Sequence, residues 1–215
     1  MILLNEREPL LAYLNVRSAY QSKVMPKTRK VTFLSNLTGL PQVWTLDDSG
    51  QVTQFGELDD DVMNYHHSPD GEKTIVEMNN KGNEMQQLYL IEEEGKKVEP
   101  LVFEPDYFHH FGGWSPKGDR ISFSSNRRHP GYFDVFVLHL ETKEIEKVFE
   151  YDGNCTPLSW LADGEHILID IPETNIDQAI YKLNIQTGDM TRIGKEYKVA
   201  RYQSINLTSD GTGGY

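Results

Sequence analysis

The sequence is short of cysteine, of clustered basic residues and of long apolar runs, and each shortage excludes a class of protein. Cys155 is the single cysteine, so no disulfide can form within the chain. The net charge is −12 and no basic run exceeds two residues, which disfavours nucleic acid and anionic membranes as partners. No segment approaches the roughly 18 apolar residues of a membrane-spanning helix. Because the N-terminus also lacks the pattern of a secretory signal, we expect a cytoplasmic protein.

Motifs for catalysis and for cofactor binding are missing as well. The chain has no G-x-S-x-G nucleophile elbow, no H-E-x-x-H zinc motif, no phosphate-binding glycine loop and no paired-cysteine metal motif. We therefore assign no catalytic, cofactor-binding or metal-binding residue and expect no cofactor. Cys155 lies between a turn and a strand in "DGNCTPL", and we expect it to be a small buried residue and not a nucleophile.

What the sequence does contain is an internal repeat. The turn stretches "HSPDGEK", "WSPKGDR", "WLADGEH" and "LTSDGTG" place a glycine at intervals of 47, 46 and 47 residues, and "VMPKTRK" is a degenerate earlier copy. A bulky side chain stands four residues before each turn glycine and before Thr28, which takes the place of the glycine in the degenerate copy. In chain order these side chains belong to Val24, His67, Trp114, Trp160 and Leu207.

Each repeat reads as four antiparallel strands. The glycine predicts a two-residue hairpin turn, since it tolerates a positive φ. Period-two alternation follows, as at Ile121 and Phe123, and indicates a strand. A polar loop and an apolar third strand come next, then a short fourth strand. The third strands are apolar on consecutive residues, which indicates that both faces of the sheet are buried.

Four-stranded units of about 45 residues are typical of propeller blades, which bury their two faces against neighbouring blades. We therefore predict an all-β protein, a β-propeller of four-stranded antiparallel blades, with an open-ended solenoid as the structural alternative. An N-terminal arm or short helix is expected over 1–17 and the propeller over 18–215. The blades are placed at about 18–54, 62–102, 107–149 and 156–193, with the inner strand of a fifth, partial blade in 200–215. A sheet that stops after its turn leaves an unpaired edge, so we expect an incomplete ring from a longer protein.

Histidines form the one cluster of residues whose chemistry suits metal binding or catalysis. His66 and His67 precede the second turn, and His109 and His110 precede the third. Imidazoles facing a central channel bind transition metals in principle. Adjacent strand residues point to opposite faces, however, and the two pairs differ in their distance from the turn glycine. We therefore favour packing roles, His67 above all, because it occupies the position of Trp114 and Trp160.

Two further features have a functional and a structural interpretation. The acidic runs Glu57–Val62 and Ile91–Lys97 lack the spaced oxygen ligands of a calcium loop, so we interpret them as solvated turns. The loop "NRRHPGYFD" contains Arg127, Arg128, Tyr132 and Phe133, which form a candidate anchor for a protein partner. Ordinary loop decoration is the interpretation that we favour.

The repeats "WSPKGDRISFSSNRR" and "SPDGEKTIVEMNNKG" resemble those shared by TolB-like proteins and the prolyl oligopeptidase family. The run "YLNVRSAYQSKVMPKTRKVTFLSNLTGLPQVWTLD" is similar to the opening of bacterial acylaminoacyl-peptidase and dipeptidyl-aminopeptidase-like members. The resemblance implies a propeller that precedes an α/β-hydrolase domain with a Ser-Asp-His triad, and that admits only short or unfolded peptides. No triad motif matches this sequence, so no catalytic residue is carried over.

The resemblance implies a non-catalytic module that gates or scaffolds access of peptide substrates to a serine peptidase, whose hydrolase domain lies outside this chain. The chain alone is not expected to hydrolyse peptides. The alternative function is a stand-alone TolB-like propeller that binds a protein partner. A third, weaker interpretation is a propeller enzyme that uses channel histidines. Exposed blade faces at the ends of an unclosed ring would also favour self-association.

Overall fold

The computed structural model describes residues 16–28 and 30–194, and within them sixteen β-strands form four antiparallel four-stranded sheets. Within each sheet the strands are neighbours in chain order, so every sheet is a meander. We call the sheets blades 1 to 4. The predicted all-β class and the four-stranded units are therefore confirmed. The predicted fifth blade and all but the last two residues of the N-terminal arm lie outside the described residues.

Blades 1 and 2 contain the first eight strands. Their bounds are β1 Ala19–Val24, β2 Val31–Ser35, β3 Gln42–Leu46, β4 Val52–Gln54, β5 Val62–His67, β6 Thr74–Met78, β7 Gln87–Glu92 and β8 Lys97–Val102. A single turn of 3-10 helix, Glu93–Gly95, joins β7 to β8.

Blades 3 and 4 contain the remaining eight strands, and blade 3 has the longest hairpin. Their bounds are β9 His109–Trp114, β10 Arg120–His129, β11 Tyr132–His139, β12 Ile145–Phe149, β13 Thr156–Trp160, β14 His166–Pro172, β15 Gln178–Asn184 and β16 Met190–Arg192.

The core lies between blades. Three clusters of buried apolar side chains occur, and each joins two consecutive blades: Leu34 with Tyr65, Ile75 with Phe123, and Val137 with Ile169 are representative pairs. In the middle strands both faces are buried, as in β6, where all five residues are inaccessible. This explains the consecutive apolar residues, since each face packs on a different neighbour.

The repeated turn has the expected glycine but not the expected length. Gly71, Gly118 and Gly164 have φ values of 76°, 70° and 67°. The prediction of a two-residue hairpin is wrong. In blade 2 the closing hydrogen bond runs from Ser68 N to Lys73 O (2.8 Å), so four residues lie between the bonded pair. The Ser68 hydroxyl donates a hydrogen bond to the Asp70 carboxylate and accepts one from the backbone N–H of Lys73. The longer turn thus contains the side chains that satisfy its own backbone.

In blades 2, 3 and 4 the bulky side chain before the turn links its blade to the preceding one. Trp114 Nε1 donates to the carbonyl of His66 (3.1 Å), and Trp160 Nε1 donates to that of Gly113 (3.2 Å). At the same position in blade 2, His67 Nε2 lies 2.7 Å from the hydroxyl of Thr32 in blade 1. A tryptophan or histidine recurs here because it combines apolar packing with a polar group that reaches the neighbouring blade.

Candidate functional site

The first strands of all four blades line one open cleft with a volume of about 490 Å³. Lys23 enters it from β1, Asn64 and His66 from β5, His110 from β9 and Thr156 from β13. The first strands, β1, β5, β9 and β13, meet here because each is an edge strand of its sheet and faces the cleft. Polar groups from distant parts of the sequence therefore meet in one place.

A buried carboxylate lies at the base of this cleft. Glu77, on β6, has a side chain that is 2% exposed. Its Oε1 lies 2.8 Å from His66 Nε2 and its Oε2 lies 3.2 Å from His110 Nδ1. Gln86 Nε2 and the backbone N–H of Phe111 also donate to Oε2. One carboxylate thus orients two imidazoles from different blades, and the buried charge is compensated by hydrogen bonds and ion pairs.

The hydrogen-bond inventory of Gln86 fixes the direction of the contact between His110 and Glu77. The two amide hydrogens of Gln86 are used by the Glu77 carboxylate and by the carbonyl of His109 (3.1 Å). No hydrogen of Gln86 is left for His110 Nδ1, so this nitrogen carries its own hydrogen and donates a hydrogen bond to Glu77.

The two imidazoles respond in opposite ways to their surroundings. The hydrogen bond to Glu77 raises the pKa of His110 and outweighs the opposing effect of burial. Burial lowers the pKa of His66, and its contacts with Glu77 only partly offset this. For Glu77 itself, burial would raise the pKa, but hydrogen bonds from His110 and His66 hold it at about 2. The carboxylate is therefore ionised at neutral pH, and His110 is the imidazole that carries a positive charge more readily.

The four candidate histidines have different roles. His67 packs edge-on against Tyr65 and Phe55, and its ring nitrogens contact Thr32 and Thr74. His109 is fully buried against the ring edge of Phe123. His66 and His67 both line the cleft, whereas of the second pair only His110 does, so the one cleft-facing ring per pair that alternation predicts is found in the second pair alone. His66 pairs with Ile75 and His110 with Ser124, four and six residues after their turn glycines, so the two histidines differ in register and still contact the same carboxylate.

The arginines of the predicted anchor loop are engaged within the fold. Arg127 lies over the ring of Phe136, 4.5 Å from its centroid. Arg128 makes two hydrogen bonds to Asp134, of 2.8 and 2.9 Å, and a third to Asp152. The ion pair with Asp134 raises the pKa of Arg128. Arg127 thus packs within blade 3, and Arg128 ties the β10–β11 hairpin to the loop that leads into blade 4, which agrees with the structural interpretation of this segment.

The remaining candidates are also structural. Cys155 is fully buried, and burial raises the pKa of its thiol to about 12, which makes it a poor nucleophile. In the first acidic run Asp60 accepts hydrogen bonds from backbone N–H groups, including that of Gly82 (2.9 Å). Across the described part of the chain, no group of three or more His, Cys, Asp or Glu side chains is arranged to hold a metal ion. No helix in that part is long and apolar enough to cross a membrane.

Sequence reasoning missed Glu77 and Lys23. Glu77 interrupts the apolar strand "TIVEM", and a lone carboxylate in a strand with two buried faces is a signal that the sequence did provide. Lys23 carried no comparable signal. Its ammonium group donates to the carbonyl of Tyr65, and burial lowers its pKa.

Comparison with solved structures identifies the architecture. TolB from Acinetobacter baumannii matches 90% of this chain with a TM-score of 0.66 and 16% identity. The acylaminoacyl peptidase of Pyrococcus horikoshii matches 83% with a TM-score of 0.60 and 18% identity. A puromycin hydrolase matches 89% with a TM-score of 0.73 and 12% identity. The fold is a β-propeller.

This propeller corresponds to only part of each of these proteins. The chain spans 47% of the TolB chain, 32% of the acylaminoacyl peptidase and 33% of the puromycin hydrolase. Its likeness to them is one of fold, because the identities lie between 12% and 18%. A search against protein-family models finds no match. No curated protein matches the sequence either. The comparisons thus show a propeller fold like the one found in TolB, in the acylaminoacyl peptidase and in the puromycin hydrolase.

Proposed function

We propose that this chain is the propeller module of a larger serine peptidase of the prolyl oligopeptidase type, in which it gates the access of short peptides to an α/β-hydrolase domain. The supporting observation is the pattern of coverage. Over 80% of this chain matches the acylaminoacyl peptidase and the puromycin hydrolase, yet it fills about a third of each. The sequence contains no nucleophile elbow, so the catalytic triad belongs to the remainder of the larger protein.

The cleft is the part of the module suited to gating. It is open, it lies where the first strands of all four blades meet, and strands form its walls. Such walls hold their shape better than loops do, because backbone hydrogen bonds to neighbouring strands fix each of them. A passage with fixed walls selects peptides by width, and extended or short peptides fit where folded chains do not.

The first test is made on the native polypeptide. Captured from its source cells with an antibody against this chain, it should have an intact mass well above 24.7 kDa. It should also react with a fluorophosphonate, which labels activated serine nucleophiles. A native mass equal to that of this chain would contradict the peptidase proposal.

The gating role is tested in the full-length protein by blocking the cleft. Leu158→Cys places a thiol on the cleft wall at a side chain that is 37% exposed, and a maleimide polymer attached there should slow hydrolysis of long peptides several-fold more than that of a dipeptide anilide. Ile176→Cys is the matched control, because this side chain is 70% exposed and lies outside the cleft. The native Cys155 stays unlabelled, since it is buried with a raised pKa. Equal effects of the two labels would contradict gating through the cleft.

The alternative function is a stand-alone propeller that binds a protein partner. The supporting observation is the match to TolB over 90% of this chain. With Arg127 and Arg128, at the end of β10, engaged within the fold, the cleft is a better candidate for the binding surface than the β10–β11 hairpin. A native mass equal to that of this chain, with no fluorophosphonate labelling, would favour this function.

A further inference from the structure

The cleft offers three free hydrogen-bond donors, from Asn64, Lys23 and, when its imidazole is protonated, His110. Asn64 Oδ1 accepts from the backbone N–H of Tyr65 (2.9 Å), which leaves its Nδ2 hydrogens unused. His110 Nδ1 faces Glu77, which leaves Nε2 unused. Neither Asn64 Nδ2 nor His110 Nε2 has a hydrogen-bond partner among the described residues. Lys23 uses one ammonium hydrogen on the Tyr65 carbonyl and has two others.

The negative charge beneath these donors is shielded. Glu77 is almost inaccessible, and His66, His110, Gln86 and the backbone of Phe111 occupy its oxygens. A ligand in the cleft therefore meets an imidazole and an ammonium group before it meets the carboxylate. Burial lowers the pKa of Lys23, which means that its charged form is poorly solvated and would gain from an anion.

The cleft also has an apolar part of its lining. Phe111, Trp114 and Pro157 line the same cleft, and Phe111 stacks on the ring of His66 with centroids 4.3 Å apart. A cleft lined both by donors and by apolar rings suits an anionic group attached to an apolar body.

We infer that the cleft contains a binding subsite for an organic carboxylate, which Lys23, Asn64 and His110 contact while its apolar body packs on Phe111, Trp114 and Pro157. The kinds of donor in the cleft favour a carboxylate over a phosphate. No arginine and no helix N-terminus line the cleft within the described residues, and these are the groups that recur in phosphate sites. The inference does not rest on the proposed function, because the binding is measured on this chain alone.

The test uses this 215-residue chain and isothermal titration with two pairs of ligands. Phenylacetate is compared with phenylacetamide, and N-acetyl-Ala-Ala-Phe with its C-terminal amide. Each pair has the same apolar body and differs in the anionic group. We expect the acids to bind at least about tenfold more tightly than the amides, which corresponds to about 1.4 kcal/mol. Inorganic phosphate is the third probe, and we expect it to bind more weakly than either acid.

The variant Asn64→Asp tests whether Asn64 contacts the carboxylate of the ligand. The substitution keeps the oxygen that accepts from Tyr65 N but replaces the free donor with a negative charge, so it should reduce the affinity for phenylacetate at least about tenfold. Asn79→Asp makes the same change of charge outside the cleft and should leave the affinity unchanged. Equal thermal melting curves for the two variants would show that a loss of affinity comes from the changed contact and not from unfolding.

The affinity should fall as pH rises, because the positive charge of His110 is present below its raised pKa and is lost above it. The charged groups that face His110 are Glu77 on β6, His66 on β5 and Lys23 on β1, and blade 4 contributes none to the cleft. Phenylacetate stays ionised between pH 6 and 8.5, as carboxylic acids have pKa values near 4. His110→Gln should remove this pH dependence.

The two acids distinguish the source of the carboxylate. Tighter binding of the tripeptide acid assigns the subsite to a peptide C-terminus, and tighter binding of phenylacetate assigns it to a small organic acid. Equal binding of acids and amides, binding of phosphate alone, no binding of any probe, or full affinity in Asn64→Asp would each overturn the inference.

Discussion

His109 shows at the residue scale how a polar side chain is tolerated in this core. It is fully buried, its ring meets the edge of Phe123, and neither ring nitrogen has a hydrogen-bond partner among the described residues. Burial and the nearby charge of Arg127 lower its pKa to about 4, so the ring is neutral at pH 7. We expect His109→Leu, which is similar in volume, to change the free energy of unfolding by less than about 1 kcal/mol at pH 7, since an unsatisfied polar group is lost.

The same substitution should alter the pH dependence of stability. A histidine whose folded pKa is lowered contributes stability above its unfolded pKa, near 6.5, and loses it as pH falls towards about 4. His109→Leu should therefore become more stable than the wild type between pH 6 and 4, as measured by urea unfolding. His67 has the same lowered pKa, so part of the dependence remains. Parallel profiles for His109→Leu and the wild type would contradict this account.

At the scale of elements, the contact between β9 and β13 depends on the absence of a side chain at Gly112. A Cβ at this position would lie 2.3 Å from Pro157 Cγ and 2.9 Å from Ser122 Oγ. Neither neighbour has room to move, because the proline ring is rigid and Ser122 is buried. We expect Gly112→Ala to destabilise the fold by about 1–3 kcal/mol, as overpacking does, and to lower the thermal melting temperature.

Gly131→Ala is the matched control for this substitution. At Gly131 an added Cβ would meet only His129, at an ordinary contact distance of 3.7 Å. Its melting temperature should equal that of the wild type. An unchanged melting temperature for Gly112→Ala would contradict this account, because it would mean that β9 and β13 do not pack as closely as the distance from Gly112 to Pro157 indicates.

The extent to which the sequence predicts the structure differs between elements and site. Repeats such as "WSPKGDR" predict the four sheets, because local alternation and turn glycines are read directly. The packing role of the side chain before each turn follows from the same repeat, but the hydrogen bond of Trp160 to the previous blade does not. The cleft does not follow, since Lys23, Glu77 and His110 are far apart in sequence and meet only once the blades are side by side. The height of each histidine also depends on a bulge in the pairing of β9 with β10, for which the repeat gives no signal.

At the scale of the whole molecule, each blade is stabilised by its neighbours, because every buried cluster is shared by two consecutive blades. Ile167 is fully buried between blades 3 and 4. Ile167→Ala should cost about 2–5 kcal/mol through lost burial and a cavity. Nearest-neighbour coupling predicts that the loss is local. Hydrogen exchange should accelerate most for the amides of β14 and β15 and least for those of β2 and β3, at the far end of the described blades. Equal acceleration in all four blades would instead mean that the chain unfolds as a single unit, in which a ligand in the cleft would stabilise every blade equally.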